Sequence, residues 1–186
     1  MDPGHRFLLK PNVRIYGPID DKAVWDVLDQ IKKVLASDER LVFELSTSGG
    51  DADAARRIGL EIRLLREWHE RETLFVGKTF VMSAGITIMA AFPRNCRFLT
   101  SDTQLLIHER RIDRSVDVDG PMRANIQILS EQLELVKAAE RVEKDGFAEF
   151  AAGSNISCDE LYERAKGNFY LTAQEALEMR LIEAII

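Results

Sequence analysis

"GKTFVMSAGITIMAAFPRNC", residues 77–96, decides how this chain is to be read. An apolar approach ends at Ser83, and a run of small and apolar residues follows. That is the pattern of a strand turning into a buried helix, with a hydroxyl at the corner. Ser83, flanked by Ala84 and Gly85, either caps that helix or attacks something.

Outward from this stretch the same alternation continues. "TLFVGK" (73–78) is the strand and "SAGITIMAAF" (83–92) the helix; "CRFLT" (96–100) and "QLLIH" (104–108) read as two further strands. Upstream, "NVRIYG" (12–17) is a short strand ended by Gly17-Pro18. "DDKAVWDVLDQIKKVLA" then puts Val24, Val27, Leu28, Ile31, Val34 and Leu35 on one helical face behind acidic Asp20 and Asp21. "LVFELS" (41–46) is a strand broken by "TSGGDAD", and the helix after it turns Ala54, Ala55, Ile58, Ile62 and Leu65 inward. Short apolar strands alternating with amphipathic helices predict an α/β domain with a largely parallel sheet. Sites in such sheets form beyond the carboxyl ends of the strands, and Gly49-Gly50, Ser83 and His108 all fall at such ends.

Downstream, "ERRIDRSVDVDG" (109–120) is polar and carries both signs, as an exposed loop does. Pro121 suits the first turn of a long helix. On that helix Met122, Ile126, Leu129, Leu133 and Val136 form an apolar seam, which packs on its own domain or on something outside it. "TAQEALEMRLIEAII" ends the chain as a short helix and a last strand.

The 186 residues suffice for one domain, 1–186, with its own core. A net charge of −6 speaks against a broad nucleic-acid-binding surface, and no apolar run approaches the roughly 20 residues of a membrane helix. The N-terminus, "MDPGHRFLLKPNVRIYG", lacks a signal-peptide core, so a cytoplasmic location is expected. Cys96 and Cys158 match no metal-ligand spacing and make no disulfide framework. They read as reduced thiols, and neither metal nor cofactor is expected.

A serine needs a base to become a nucleophile, and histidine is the side chain suited to that near neutral pH. There are three. His5 lies in the N-terminal tail and His69 in the charged helix end "REWHERE", whereas His108 ends an apolar strand where Ser83 should emerge. The oxyanion of an acyl transfer needs N–H donors; Ala84 supplies one, and Gly50 is placed to supply another.

Taken together, "LSTSGGDADAARRIG", "VMSAGITIMAA", "LLIHER" and "NFYLTAQEALEMRLIEAII" resemble, in order, the proteolytic subunit of the Clp protease, a ClpP/crotonase-fold family. The resemblance covers roughly 12–110 and 160–186. It implies repeated β-β-α units with a protruding handle helix at about 121–151. It also implies a cytosolic serine endopeptidase of peptides or unfolded proteins, with Ser83 as nucleophile, His108 as general base, and Gly50 and Ala84 as the oxyanion hole. Family members form two stacked seven-subunit rings joined by the handle, so a homo-oligomeric ring is expected.

Several positions depart from the family. Ser48 stands where the family has proline, and Arg180-Leu181 where it has Gly-Leu. The chain begins almost at its first strand, which argues against an ATP-driven AAA+ unfoldase as partner. Aligning Thr172-Ala173 on the family's Ser-Ala puts Asn168 at the place of the triad aspartate. Asn168 then serves as the third member, or Asp113, Asp117 or Asp119 swings in for it, or Asn168 only satisfies local backbone groups. The competing readings are a weak or inactive Clp-like assembly or regulatory subunit, a crotonase-type acyl-CoA enzyme, and a serine–lysine peptidase using Lys78. The Ser83–His108 pairing argues against the second. Lys78, read as the end of a strand, argues against the third.

Overall fold

The computed structural model describes residues 3–112 and 115–186, and one long strand organises it. A 3-10 turn (Pro3–Leu9) leads into β1 (Val13–Tyr16), α1 (Asp21–Leu35), β2 (Leu41–Thr47), α2 (Ala52–Trp68) and β3 (Thr73–Met82). Then come α3 (Ala84–Ala90), a 3-10 turn (Arg94–Cys96), β4 (Arg97–Leu99) and β5 (Gln104–Ile107). The long α4 (Met122–Ala151), α5 (Cys158–Ala165), β6 (Phe169–Thr172), α6 (Ala173–Glu178) and β7 (Ala184–Ile185) complete the chain. The helix starts are chemically marked. Asp20 accepts from the Ala23 N–H at 2.8 Å, Asp51 from the Asp53 and Ala54 N–H groups, and Thr172 with Glu175 forms a reciprocal capping box.

The sheet runs β1-β2-β3-β4-β7, all parallel, as the alternation predicts. β3 forks it. Its lower half, Phe75–Gly77, pairs with β4, while its upper half, Phe80–Met82, pairs with β5, to which β6 adds antiparallel. Between the halves the strand bulges: Leu45 faces Gly77, but Thr47, two residues on, faces Val81. Thr79 carries the bulge at φ 59°, a conformation β-branched residues resist. The sequence reading ends this strand at Lys78; the bulge instead carries it on to Met82, leaving Lys78 inside the strand and paired with Glu44.

One sheet face is covered by α1, α2 and α3. There Phe92 packs on Phe43 and Phe75, with ring centroids 5.8 and 5.4 Å apart. On the other face Leu8 of the first 3-10 turn closes over Val42, Leu74, Val76 and Phe98. Burial on both faces explains why "LVF" and "TLFV" are continuous apolar runs rather than alternating ones. On α1 the buried stripe is narrower than the sequence suggests: Val27, Ile31 and Val34 are buried, but Leu28 is only half-buried and Leu35 is exposed.

α4 leaves this frame. Of its 30 residues only Asn125, Phe147, Phe150 and Ala151 are buried, and Pro121 caps it rather than entering its first turn. The seam Met122, Ile126, Leu129, Leu133 and Val136 is exposed, from 49% to 81% of each residue. The foot of α4 is held by Arg97, which is 1% exposed. Its guanidinium donates to the carbonyls of Phe92, Phe150, Leu181, Ala90 and Glu149 at 2.8–3.4 Å. These include the C-terminal carbonyls of α3 and α4, which carry partial negative charge and lack helical partners. Burial lowers the Arg97 pKa to about 10, so it stays charged at neutral pH. Among the described residues, no helix is long and apolar enough to cross a membrane.

Candidate active site

Ser83 stands at the corner where β3 becomes α3, at φ 55° and ψ −117°. Only glycine visits that region without strain. Its N–H donates to the Leu106 carbonyl at 2.8 Å, and its own carbonyl accepts the Ile86 N–H at 2.9 Å. The β3–β5 pairing and the first turn of α3 together lock this conformation. Ser83 occupies the cap position, yet its hydroxyl makes no capping hydrogen bond. The side chain is therefore free of the helix it introduces.

The Gly49-Gly50 turn closes against it. Gly49 sits at φ +116°, and a Cβ there would lie 2.8 Å from the Ser83 Cβ; one on Gly50 would lie 2.1 Å from the Ile19 carbonyl oxygen. Only glycine allows both approaches. Buried Thr47 steadies the turn, its Oγ1 accepting the Gly49 N–H at 3.0 Å. Ile19 donates to the Gly49 carbonyl and accepts from the Asp51 N–H, bracketing Gly50. Among the described residues, neither the Gly50 nor the Ala84 N–H donates to any protein acceptor.

His108 follows β5, half-buried. With Gly50, Ser83 and Ala84 it lines a cleft of about 490 Å³ walled by α2, α3 and the foot of α4. Among the described residues, no hydrogen bond joins the Ser83 hydroxyl to the imidazole. Instead the His108 Nδ1 lies 2.6 Å from the carbonyl oxygen of its neighbour Glu109.

Asn168 stands differently. The antiparallel register ends at Ile107 opposite Phe169, so one step further sets His108 against Asn168. Asn168 itself is exposed and left-handed, at φ 59°, with its N–H bonded to the Ala165 carbonyl at 3.2 Å. Asparagine tolerates that conformation better than most residues. It does not line the cleft. Asp117 and Asp119 are exposed and do not line it either, and Asp113 lies outside the described residues.

One group of residues escaped the sequence reading. The Arg110 guanidinium donates to Asp53 Oδ2 at 2.7 Å near the start of α2, and the Arg110 backbone N–H donates to Glu143 on α4. The Arg110 hydrogen bond holds the Asp53 carboxyl below its ordinary range; burial raises that of Glu143, partly offset by the Arg110 N–H. Charges on three separate elements meet here, and the only local sign of them is the pair Arg110-Arg111 directly after the histidine.

A family model described as Clp protease matches residues 1–186. The ATP-dependent Clp protease proteolytic subunit 2 of Pseudomonas aeruginosa is 27% identical over 176 residues, spanning 94% of this chain and 80% of that one. Proteolytic subunit 3 of Rhizobium johnstonii is 26% identical, spanning 94% and 83%. Among solved structures, a mutant of ClpP1 from Listeria monocytogenes has the same fold, with a TM-score of 0.72 at 23% identity, covering 98% of this chain and 94% of its own.

Proposed function

The chain belongs to the Clp protease family, and from that premise we propose that it is a cytosolic serine endopeptidase of peptides and unfolded chains, with Ser83 as nucleophile and His108 as base. The observation that carries the reading is the conformation of Ser83. A residue held at φ 55° and ψ −117° is strained, and its hydroxyl is unused by the helix it precedes. Strain of that kind concentrates at reacting groups.

In this reading the scissile carbonyl lies over Ser83 with its oxygen toward the free N–H groups of Gly50 and Ala84. His108 Nε2 takes the hydroxyl proton as Oγ bonds to the carbonyl carbon. The N–H pair accepts the negative charge that develops on oxygen. The C–N bond then breaks, and the imidazolium gives its proton to the departing amine. Water, deprotonated by the same nitrogen, hydrolyses the acyl-serine and restores the hydroxyl. Asn168 stays outside this machinery, as a left-handed residue ahead of β6. The exposed seam of α4 is where a second subunit would pack, so the working form is a ring whose mass is several times the 21.1 kDa of one chain.

A fluorophosphonate probe with mass mapping tests the reading. Ser83 should be labelled, and Ser83→Ala should lose both label and peptide hydrolysis with its fold intact. Labelling elsewhere, or none, would remove the peptidase reading. It would favour the second one, an assembly or regulatory subunit of weak activity, for which the unbonded Ser83 and His108 already speak.

A further inference from the structure

We infer that Arg110, clasped between Asp53 and Glu143, is the positioning residue of the general base, and that the Glu109 carbonyl replaces the third member of a triad. The inference rests on the reading of His108 as the base. A carbonyl oxygen only accepts, so the 2.6 Å contact requires the proton on Nδ1. In the neutral imidazole that leaves the lone pair on Nε2, the atom that must take the Ser83 proton. Fixing the tautomer is half of what a triad carboxylate does; the other half, stabilising the imidazolium by charge, is absent here.

A contact between neighbouring residues orients a ring only if the backbone between them is still. Glu109–Ile112 belong to no strand or helix. Arg110 supplies the restraint from both of its ends. The backbone N–H holds Glu143, on the foot of α4, and the guanidinium holds Asp53 Oδ2 at 2.7 Å, in the first turn of α2. The Glu109 carbonyl is thus fixed by two helices that also wall the cleft. Charges facing the clasp are Arg56, which also reaches Asp53 at 3.5 Å, and the Glu109 and Glu140 carboxylates near Glu143. Among the described residues the Glu109 carbonyl is the hydrogen-bond partner of the imidazole; Asn168, next to His108 in the register, makes no bond to it.

The test is the imidazole tautomer, read from the 15N spectrum of sedimented, 15N-histidine-labelled full-length protein at about pH 8, with His108→Gln assigning the signals. Wild type should show a protonated Nδ1 and an unprotonated Nε2. Glu143→Ala and Arg110→Ala should shift His108 toward the Nε2–H form, whereas Glu143→Gln, whose side-chain carbonyl can still accept the Arg110 N–H, should retain the wild-type signals. On a peptide substrate, kcat should fall about 10- to 100-fold in the two alanine variants with KM within about twofold, and within about threefold for Glu143→Gln, a fraction of what general-base catalysis contributes. Unchanged tautomer in the alanine variants, or a glutamine variant as poor as the alanine one, overturns the inference. If Arg110→Ala fails to assemble, the Glu143 pair decides alone. An active enzyme whose tautomer ignores the clasp sinks the inference and leaves the peptidase reading standing. A tautomer that responds in a protein without peptidase activity leaves the clasp as an orienting device and sinks the peptidase reading, and with it the general base.

Discussion

Replacing Ser83 by glycine should kill the enzyme and stabilise the protein. At φ 55° and ψ −117° a residue with a Cβ costs about 1–3 kcal/mol relative to glycine. The glycine chain loses more freedom on folding, about 0.4–1 kcal/mol, which offsets part of the gain. Ser83→Ala is the proper reference, because it removes the same hydroxyl but keeps the Cβ and the strain. The difference between the two variants should therefore be roughly 0.5–2 kcal/mol in favour of glycine. For a chain of this size that corresponds to about 1–8 °C in Tm. The assay is thermal unfolding at a fixed protomer concentration, since an oligomer's Tm depends on it. Neither variant should hydrolyse peptide. A glycine variant no more stable than the alanine one would show that the corner stores no strain, and would take away the observation on which the assignment of Ser83 rests.

Other expectations follow from the same geometry. Asn168→Ala should lower stability by about 1–2 kcal/mol, the cost of a left-handed alanine, and leave kcat within about threefold. A loss of 100-fold or more would make Asn168, rather than the Glu109 carbonyl, the partner of His108. Arg97→Leu should cost about 3–5 kcal/mol by leaving buried carbonyls of α3 and α4 unpaired, seen as a lower urea midpoint; a loss below about 1 kcal/mol would refute the clasp on the handle. Asp53 titrates below its ordinary value of 3.8 because Arg110 bonds its carboxylate. Its folded pKa is depressed, so its contribution is present above 3.8 and fades as pH falls through the lower folded value. Asp53→Asn should flatten that acid limb in a Tm-against-pH series, by no more than about 2–4 °C for so exposed a pair.

Much of this was legible from local pattern. The strand-to-helix corner at Ser83, the glycine turn at 49–50 and the histidine after "QLLI" are each set by a few adjacent residues, and the parallel order brings their ends together. What escaped the reading depends on contacts across the chain. The β3 bulge at Thr79 is invisible because threonine is an ordinary strand residue whose positive φ is imposed by β2 and β5. Arg97 reads as a surface charge at the edge of "CRFLT"; only the convergence of two helix ends makes its burial favourable. The Asp53–Arg110–Glu143 clasp joins residues 57 and 33 positions apart, and nothing in "HERRID" announces either partner. For Asn168 the sequence left a choice between chemistry and backbone, because what sets it against His108 is the register of β5 on β6, a pairing of distant segments.

The fork in β3 also sets a timetable. The half of the sheet that pairs β3 with β2 and β4 joins segments close in the chain, which close at low entropic cost. On the second branch β5 pairs β6 across the whole of α4 and α5, as β4 pairs β7 on the first, and such distant pairings form late. His108 rides on that second branch, and without β6 the four residues of β5 are a short exposed edge. A chain emerging from the ribosome thus exposes its serine corner before β6 covers the outer edge of the strand that leads to His108. If Ser83 and His108 act as nucleophile and base, hydrolytic competence waits for the strand, β6, that closes over β5.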